Sequence, residues 1–151
     1  MRRRGILTAI WFASLLVALA IVESYFPRHV VLMGQSIPIL TAGSRPAMYT
    51  QLAQIYSPSL LLIGAAWFAK PLKPITASRV EDWRFRIALA GTLLFNLIML
   101  ALIALHHLLP AEGEVLTAMT RAKSVSLVMA FLVVWPNVHY FGAAPPAPAV
   151  G

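Results

Sequence analysis

Apolar positions in this chain gather into four long stretches, and the segments between them hold most of the arginines and lysines. The first stretch runs from Gly5 to Val22, preceded by Arg2, Arg3 and Arg4 and closed by Glu23. The clearest runs from Ile87 to Leu109, 23 residues whose only ionisable side chains are His106 and His107. A helix of about 20 apolar residues at 1.5 Å each crosses the roughly 30 Å of a bilayer's hydrocarbon. The pattern predicts an all-α integral membrane protein: four transmembrane helices in a small bundle, over approximately 5–23, 47–69, 87–109 and 124–141.

The second and fourth helices need closer argument. The strongly apolar part of the second, Pro58 to Ala69, has 12 residues and is too short to cross alone. Extending it back to Ala47 supplies the length and takes in Gln51, Gln54 and Ser57. Pro58 then sits inside a continuous helix, where it removes one backbone hydrogen bond. A half-helix starting at Pro58 after a re-entrant loop is the alternative. In either case the glutamines must face protein or water, because hydrocarbon cannot satisfy them. Ahead of the fourth helix, Gly113–Lys123 places Leu116, Met119 and Thr120 on one side, as expected of an amphipathic lead-in at the membrane surface.

The connection 24–46 carries too many apolar residues, among them Val30, Val31, Leu32, Met33, Ile37 and Leu40, to be a solvated linker. It is expected to form an extracytoplasmic loop lying on the membrane or on another chain. The tail 142–151 contains only Gly, Ala, Pro and Val and reads as an extended, polyproline-like segment available to a partner. Helix 1 has the basic start and the Ala18-Leu19-Ala20 of a signal peptide. Its apolar run exceeds the 7–15 residues of such a signal, so it is expected to be retained.

Composition sharpens this picture. Hydrophobic residues make up 60% of the chain and charged residues 11%, against roughly 45–50% and about 25% in soluble domains. The 12 Lys and Arg outnumber 5 Asp and Glu, giving +7. Because the cations flank apolar runs, anionic lipid explains them better than nucleic acid does. With the N-terminus cytoplasmic, Arg2, Arg3, Arg4, Lys70, Lys73, Arg79, Arg84 and Arg86 lie inside, and Arg28, Arg45, Arg121 and Lys123 outside. That asymmetry follows the positive-inside rule and puts both termini in the cytoplasm. Trp67, Trp83, Trp135 and Tyr140 fall near helix ends, where interfacial aromatic belts belong.

Candidate chemistry is sparse. The absence of cysteine excludes disulfides, thiolate metal sites and a cysteine nucleophile. No GxSxG, HExxH, Walker A, GxGxxG or CxxC signature occurs, so no enzyme activity and no cofactor is expected. Glu23, His29, His106 and His107 all fall at the outer boundary, and a cluster of Glu23, His106 and His107 could hold a metal or relay protons. Adjacent histidines diverge by about 100° on a helix, which favours plain interfacial residues instead. His106 and His139 lie at opposite faces in this topology and are ill placed for bis-histidine haem ligation. Asn96 is the strongly polar residue in the middle of the third helix, in line with Ala88 and Thr92 at a spacing of four. It is read as interhelical packing glue, or as part of a solute path with Gln51, Gln54 and Pro58. Gly5, Ala9 and Ala13 form a second small-residue stripe.

The expected function is a non-catalytic accessory or scaffold subunit of a larger membrane complex, touching lipid and other subunits through 24–46 and 142–151. The alternatives are a small transporter or channel component, and a redox or metal-binding membrane subunit.

Overall fold

A computed structural model describes residues 2–38, 40–68, 79–105 and 112–142. Within them the chain forms α1 (Arg2–Glu23), a hairpin of β1 (His29–Leu32) and β2 (Gln35–Pro38), a single 3-10 turn (Ala42–Ser44), α2 (Arg45–Phe68), α3 (Arg79–Leu105) and α4 (Glu112–Gly142). The architecture is an all-α four-helix bundle with one small hairpin at an end.

Each helix buries one stripe, and the stripes share a spacing. α1 turns in Leu7, Trp11, Ser14, Ala18 and Val22; α2 turns in Met48, Leu52, Ile55, Tyr56, Ser59 and Ile63. α3 contributes Ala88, Thr92, Phe95, Asn96, Met99 and Ile103, and α4 contributes Val115, Met119, Ala122, Ser126, Val133 and Asn137. Steps of three and four keep such residues on one side of a 3.6-residue helix and let them interdigitate with a neighbour. The stripe is not marked by hydrophobicity, because the opposite faces are just as apolar. Phe12, Leu16, Leu61, Leu94, Leu97 and Val128 are all exposed.

α3 and α4 pack extensively on each other, α4 also on α2, and α1 on α3; α1 and α2 meet more sparingly. The helices thus form a ring in the order α1–α3–α4–α2, and the consecutive helices α2 and α3 are not ring neighbours. Side-chain contacts fix the directions. Arg3 stacks over the Phe85 ring at 5.3 Å, and the Tyr25 hydroxyl donates to the Ile103 carbonyl, so α1 and α3 run parallel. Trp67 Nε1 donates to Thr8 Oγ1 at 2.9 Å while Arg45 lies 3.6 Å from Glu23, so α2 runs antiparallel to α1. The hairpin and the Glu23–Arg45 pair share one end of the bundle; Arg3 and Trp67 mark the other.

α2 is continuous through Pro58, which lies exposed within it. α4 begins at Glu112 rather than near Ser124. The segment read as a surface lead-in is its first three turns, and Val115, Met119 and Ala122 there are buried in the bundle. Nothing between Gly113 and Pro136 breaks a helix, and the same buried spacing passes through the join. α3 likewise begins early, at Arg79. The stripe of Gly5, Ala9 and Ala13 does not carry helix packing: Ala9 and Ala13 are exposed, and the buried face of α1 is the one bearing Trp11.

The connection 24–46 has structure of its own. His29 pairs with Pro38 and Leu32 with Gln35, which leaves Met33 and Gly34 as a two-residue turn. Their φ values of 52° and 80° are those of a type I′ turn, the form whose twist matches paired strands. Gly34 adopts that conformation without strain; Met33 does not. Tyr25, Leu40 and Ser44 anchor the connection in the bundle, while Val31, Met33 and Ile37 stay exposed.

Candidate functional site

Several polar side chains lie buried inside the bundle, among them Thr92, Asn96, Ser126 and Asn137. At its centre Trp11 packs edge-on to Tyr56, with ring centroids 6.2 Å apart, and tilted on Phe95 at 5.3 Å. This joins α1, α2 and α3 in one aromatic layer. Next to it Thr92 and Asn96 of α3 meet Asn137 of α4. The Asn96 amide donates to the Thr92 carbonyl at 2.8 Å. The Asn137 amide donates to the Val133 carbonyl at 2.9 Å and, across the helix pair, to Thr92 Oγ1 at 3.4 Å. Four side-chain atoms in these layers are buried without a hydrogen-bond partner: Trp11 Nε1, Tyr56 Oη, Asn96 Oδ1 and Asn137 Oδ1. Buried polar atoms are normally paired, so such a set points to a place where the interior can accept hydrogen-bonding guests.

The second feature is a groove of about 760 Å³ between α1 and α2, the ring neighbours that pack most sparingly. Leu15, Leu19, Tyr49, Leu52, Tyr56 and Leu60 make its walls, and Glu23 and Arg45 stand at its mouth. The Arg45 guanidinium is held 4.4 Å over the Phe26 ring. One carboxylate oxygen of Glu23 lies 3.6 Å from Arg45, and the other is buried with no partner. Beside this mouth, burial pushes the Tyr25 hydroxyl up to about 12, against the opposing pull of the Arg28 charge.

The residues singled out in the sequence are distributed as follows. Asn96 lies in the core, with its amide bonded to its own helix rather than across to another. The interhelical bond is made by Asn137, which directly follows Pro136 near the end of the fourth apolar stretch. The signal that marks it is the buried spacing of α4, which reaches Asn137 four residues after Val133. Gln51 is half-buried and donates to Thr120 Oγ1 of α4 at 3.1 Å, whereas Gln54 is exposed. Glu23 pairs with Arg45, a partner the sequence did not suggest. His29 is exposed at the start of the hairpin, its Nδ1 2.9 Å from the Pro27 carbonyl. His106 and His107 lie outside the described residues, as does the tail beyond Gly142. Among the described residues no three His, Asp or Glu side chains come together as a metal site would require. No protein-family model, curated protein or solved structure matches this chain.

Proposed function

We propose that the protein is a four-span integral membrane protein with both termini cytoplasmic, serving as a non-catalytic accessory or scaffold subunit of a larger membrane complex. The observation that carries this reading is how apolar the outward faces of the helices are. Ile6, Phe12, Leu16, Val17, Leu93, Leu94, Leu97 and Val128 are among the residues facing out, while Thr92, Asn96, Ser126 and Asn137 are among those facing in. Among the described residues two helices, Arg3–Glu23 and Trp83–Leu105, are long and apolar enough to cross a membrane. Their apolar windows are only 28% and 33% buried, whereas the core helix of a soluble protein is mostly covered by its neighbours. In water the uncovered faces would aggregate; in lipid they are solvated. The helix hydroxyls fit the same solvent, since Thr8, Thr50, Thr117, Thr120 and Ser124 each donate to the carbonyl four residues earlier. Exposed Trp67 and Trp83 suit a headgroup layer near the arginines.

The scaffold role draws on the hairpin, whose Val31, Met33 and Ile37 are offered to a partner rather than to this chain. Reporter fusions at residue 75 and residue 115 test the topology, with 75 cytoplasmic and 115 extracytoplasmic as the expected result. Purification in mild detergent tests the role: other polypeptides should accompany the chain in fixed ratio, and recovery of the chain alone would refute it. The second reading, a small transporter component, is favoured by the unpartnered amide oxygens of Asn96 and Asn137. Solute flux in proteoliposomes that Asn96→Leu abolishes would select it.

A further inference from the structure

The groove between α1 and α2 has a chemistry that a generic lipid-facing crevice lacks. Its floor is apolar, but its mouth presents one anion and one cation side by side, Glu23 and Arg45. The separation of 3.6 Å between them exceeds the 2.7–2.9 Å of a strong charge-assisted hydrogen bond. The two groups therefore hold each other loosely. One carboxylate oxygen of Glu23 is buried without a partner, so the half-exposed carboxylate meets a guest through its other oxygen, the one 3.6 Å from Arg45. Arg45, seated over Phe26, has its guanidinium fixed in place, and its five donors exceed what one carboxylate oxygen can take.

Below the mouth, Arg45, Tyr49, Leu52, Tyr56 and Leu60 follow one face of α2, and Glu23, Leu19 and Leu15 follow the facing side of α1. At 1.5 Å per residue the α2 wall runs about 22 Å from Arg45 to Leu60, and the α1 wall covers about 12 Å of it from Glu23 to Leu15. One leaflet, headgroup included, is half of roughly 40–45 Å. The match puts a headgroup at the charged mouth and an acyl chain along the walls.

We propose that this groove is a binding site for a single phospholipid with a primary-amine headgroup, phosphatidylethanolamine in chemistry. Its ammonium donates to Glu23, its phosphate accepts from Arg45, and one acyl chain lies between α1 and α2. Opposite charges at the mouth select a zwitterion. An anionic lipid sets its phosphate beside Glu23 with no cation to offer. A choline headgroup carries the right charges, but its quaternary nitrogen has no N–H to donate. The proposal rests on the membrane reading above and adds a ligand to it.

The test is native mass spectrometry of the full-length protein in mild detergent, equilibrated with equal amounts of phosphatidylethanolamine, phosphatidylcholine and phosphatidylglycerol of identical chains. The ethanolamine adduct is expected to exceed each of the others about fivefold, the size of one charge-assisted hydrogen bond near a surface. Glu23→Gln should bring it down to the phosphatidylcholine level. Arg45→Gln should weaken both zwitterionic adducts alike. Leu19→Trp, which fills the groove, should remove all three with helical circular dichroism unchanged. Equal occupancy of the three lipids, preference for phosphatidylglycerol, or an unaltered preference in Glu23→Gln would each overturn the site. Alkaline carbonate extraction of native membranes separates the two failures. A chain that stays in the pellet yet shows no preference loses the lipid site alone; a chain released to the supernatant loses the membrane reading as well.

Discussion

Two adjacent residues of α1 allow the face assignment to be tested directly. Trp11 is 0% exposed and contacts the rings of Tyr56 and Phe95, whereas Phe12, about 100° further round the helix, is 52% exposed. Both are aromatic, and composition does not distinguish them. In a membrane the transfer of an apolar side chain from lipid into protein contributes little, so the cost of Trp11→Ala comes from lost contacts and an unfilled void. Two aromatic contacts at about 0.5–1.5 kcal/mol each give about 1–3 kcal/mol. A void on the order of 100 Å³, at about 24 cal/mol per Å³, adds about 2 kcal/mol. The sum, about 3–5 kcal/mol, would remove most of the stability of a small bundle. Phe12→Ala loses far less packing and should cost under about 1 kcal/mol. Reversible unfolding in mixed micelles, titrating a denaturing detergent against a mild one and following helical circular dichroism, measures both variants. Equal destabilisation, or a larger effect of Phe12→Ala, would refute the assignment of the α1 face and with it the ring of helices built on it.

Three further outcomes are expected. A double-mutant cycle on Thr92→Val and Asn137→Leu should return a coupling of about 0.6 kcal/mol, the average for interhelical hydrogen bonds in membranes, and a value of zero would show that the α3–α4 contact carries no bond. Tyr25→Phe removes the hydroxyl's bond to Ile103 and should cost about 0.5–1.5 kcal/mol at neutral pH. Because burial raises Tyr25 in the folded state above its ordinary value of 10.0, its contribution holds below pH 10 and falls as pH climbs toward about 12. The gap between the unfolding midpoints of the native chain and Tyr25→Phe should therefore narrow over that window; a constant gap would count against it. Met33→Gly relieves a left-handed backbone costing about 1–2 kcal/mol and should slow amide exchange in the hairpin, whereas Gly34→Val should speed it. Neither should move the unfolding of the bundle, since both residues are exposed.

Helix positions were legible in the sequence because length and apolar content signal a helix whatever it packs against. The continuity of α2 through Pro58 could be argued from the shortness of the run after it. The start of α4 could not, because Gly113–Lys123 is equally consistent with a surface helix until its buried residues are known. The hairpin had one local sign, Gly34 between two apolar runs, which the apolar content of the loop obscured. At the candidate site Asn96 was visible as an amide in an apolar run. Asn137 was obscured by Pro136, and Arg45 by its distance in sequence from Glu23.

Composition and pattern alone determined that this chain is helical, that it has about four long helices, and that it is rich in apolar residues. Those properties are sums over residues and need no partner to be computed. Which face of each helix turns inward was decided only by the folded bundle, because in α1 and α3 apolar residues occupy every side. With no amphipathic contrast to read, the choice of Trp11 over Phe12, of Asn137 as the partner of Thr92, and of Arg45 beside Glu23 depends on shape complementarity between residues far apart in the chain. That complementarity arises when the helices meet.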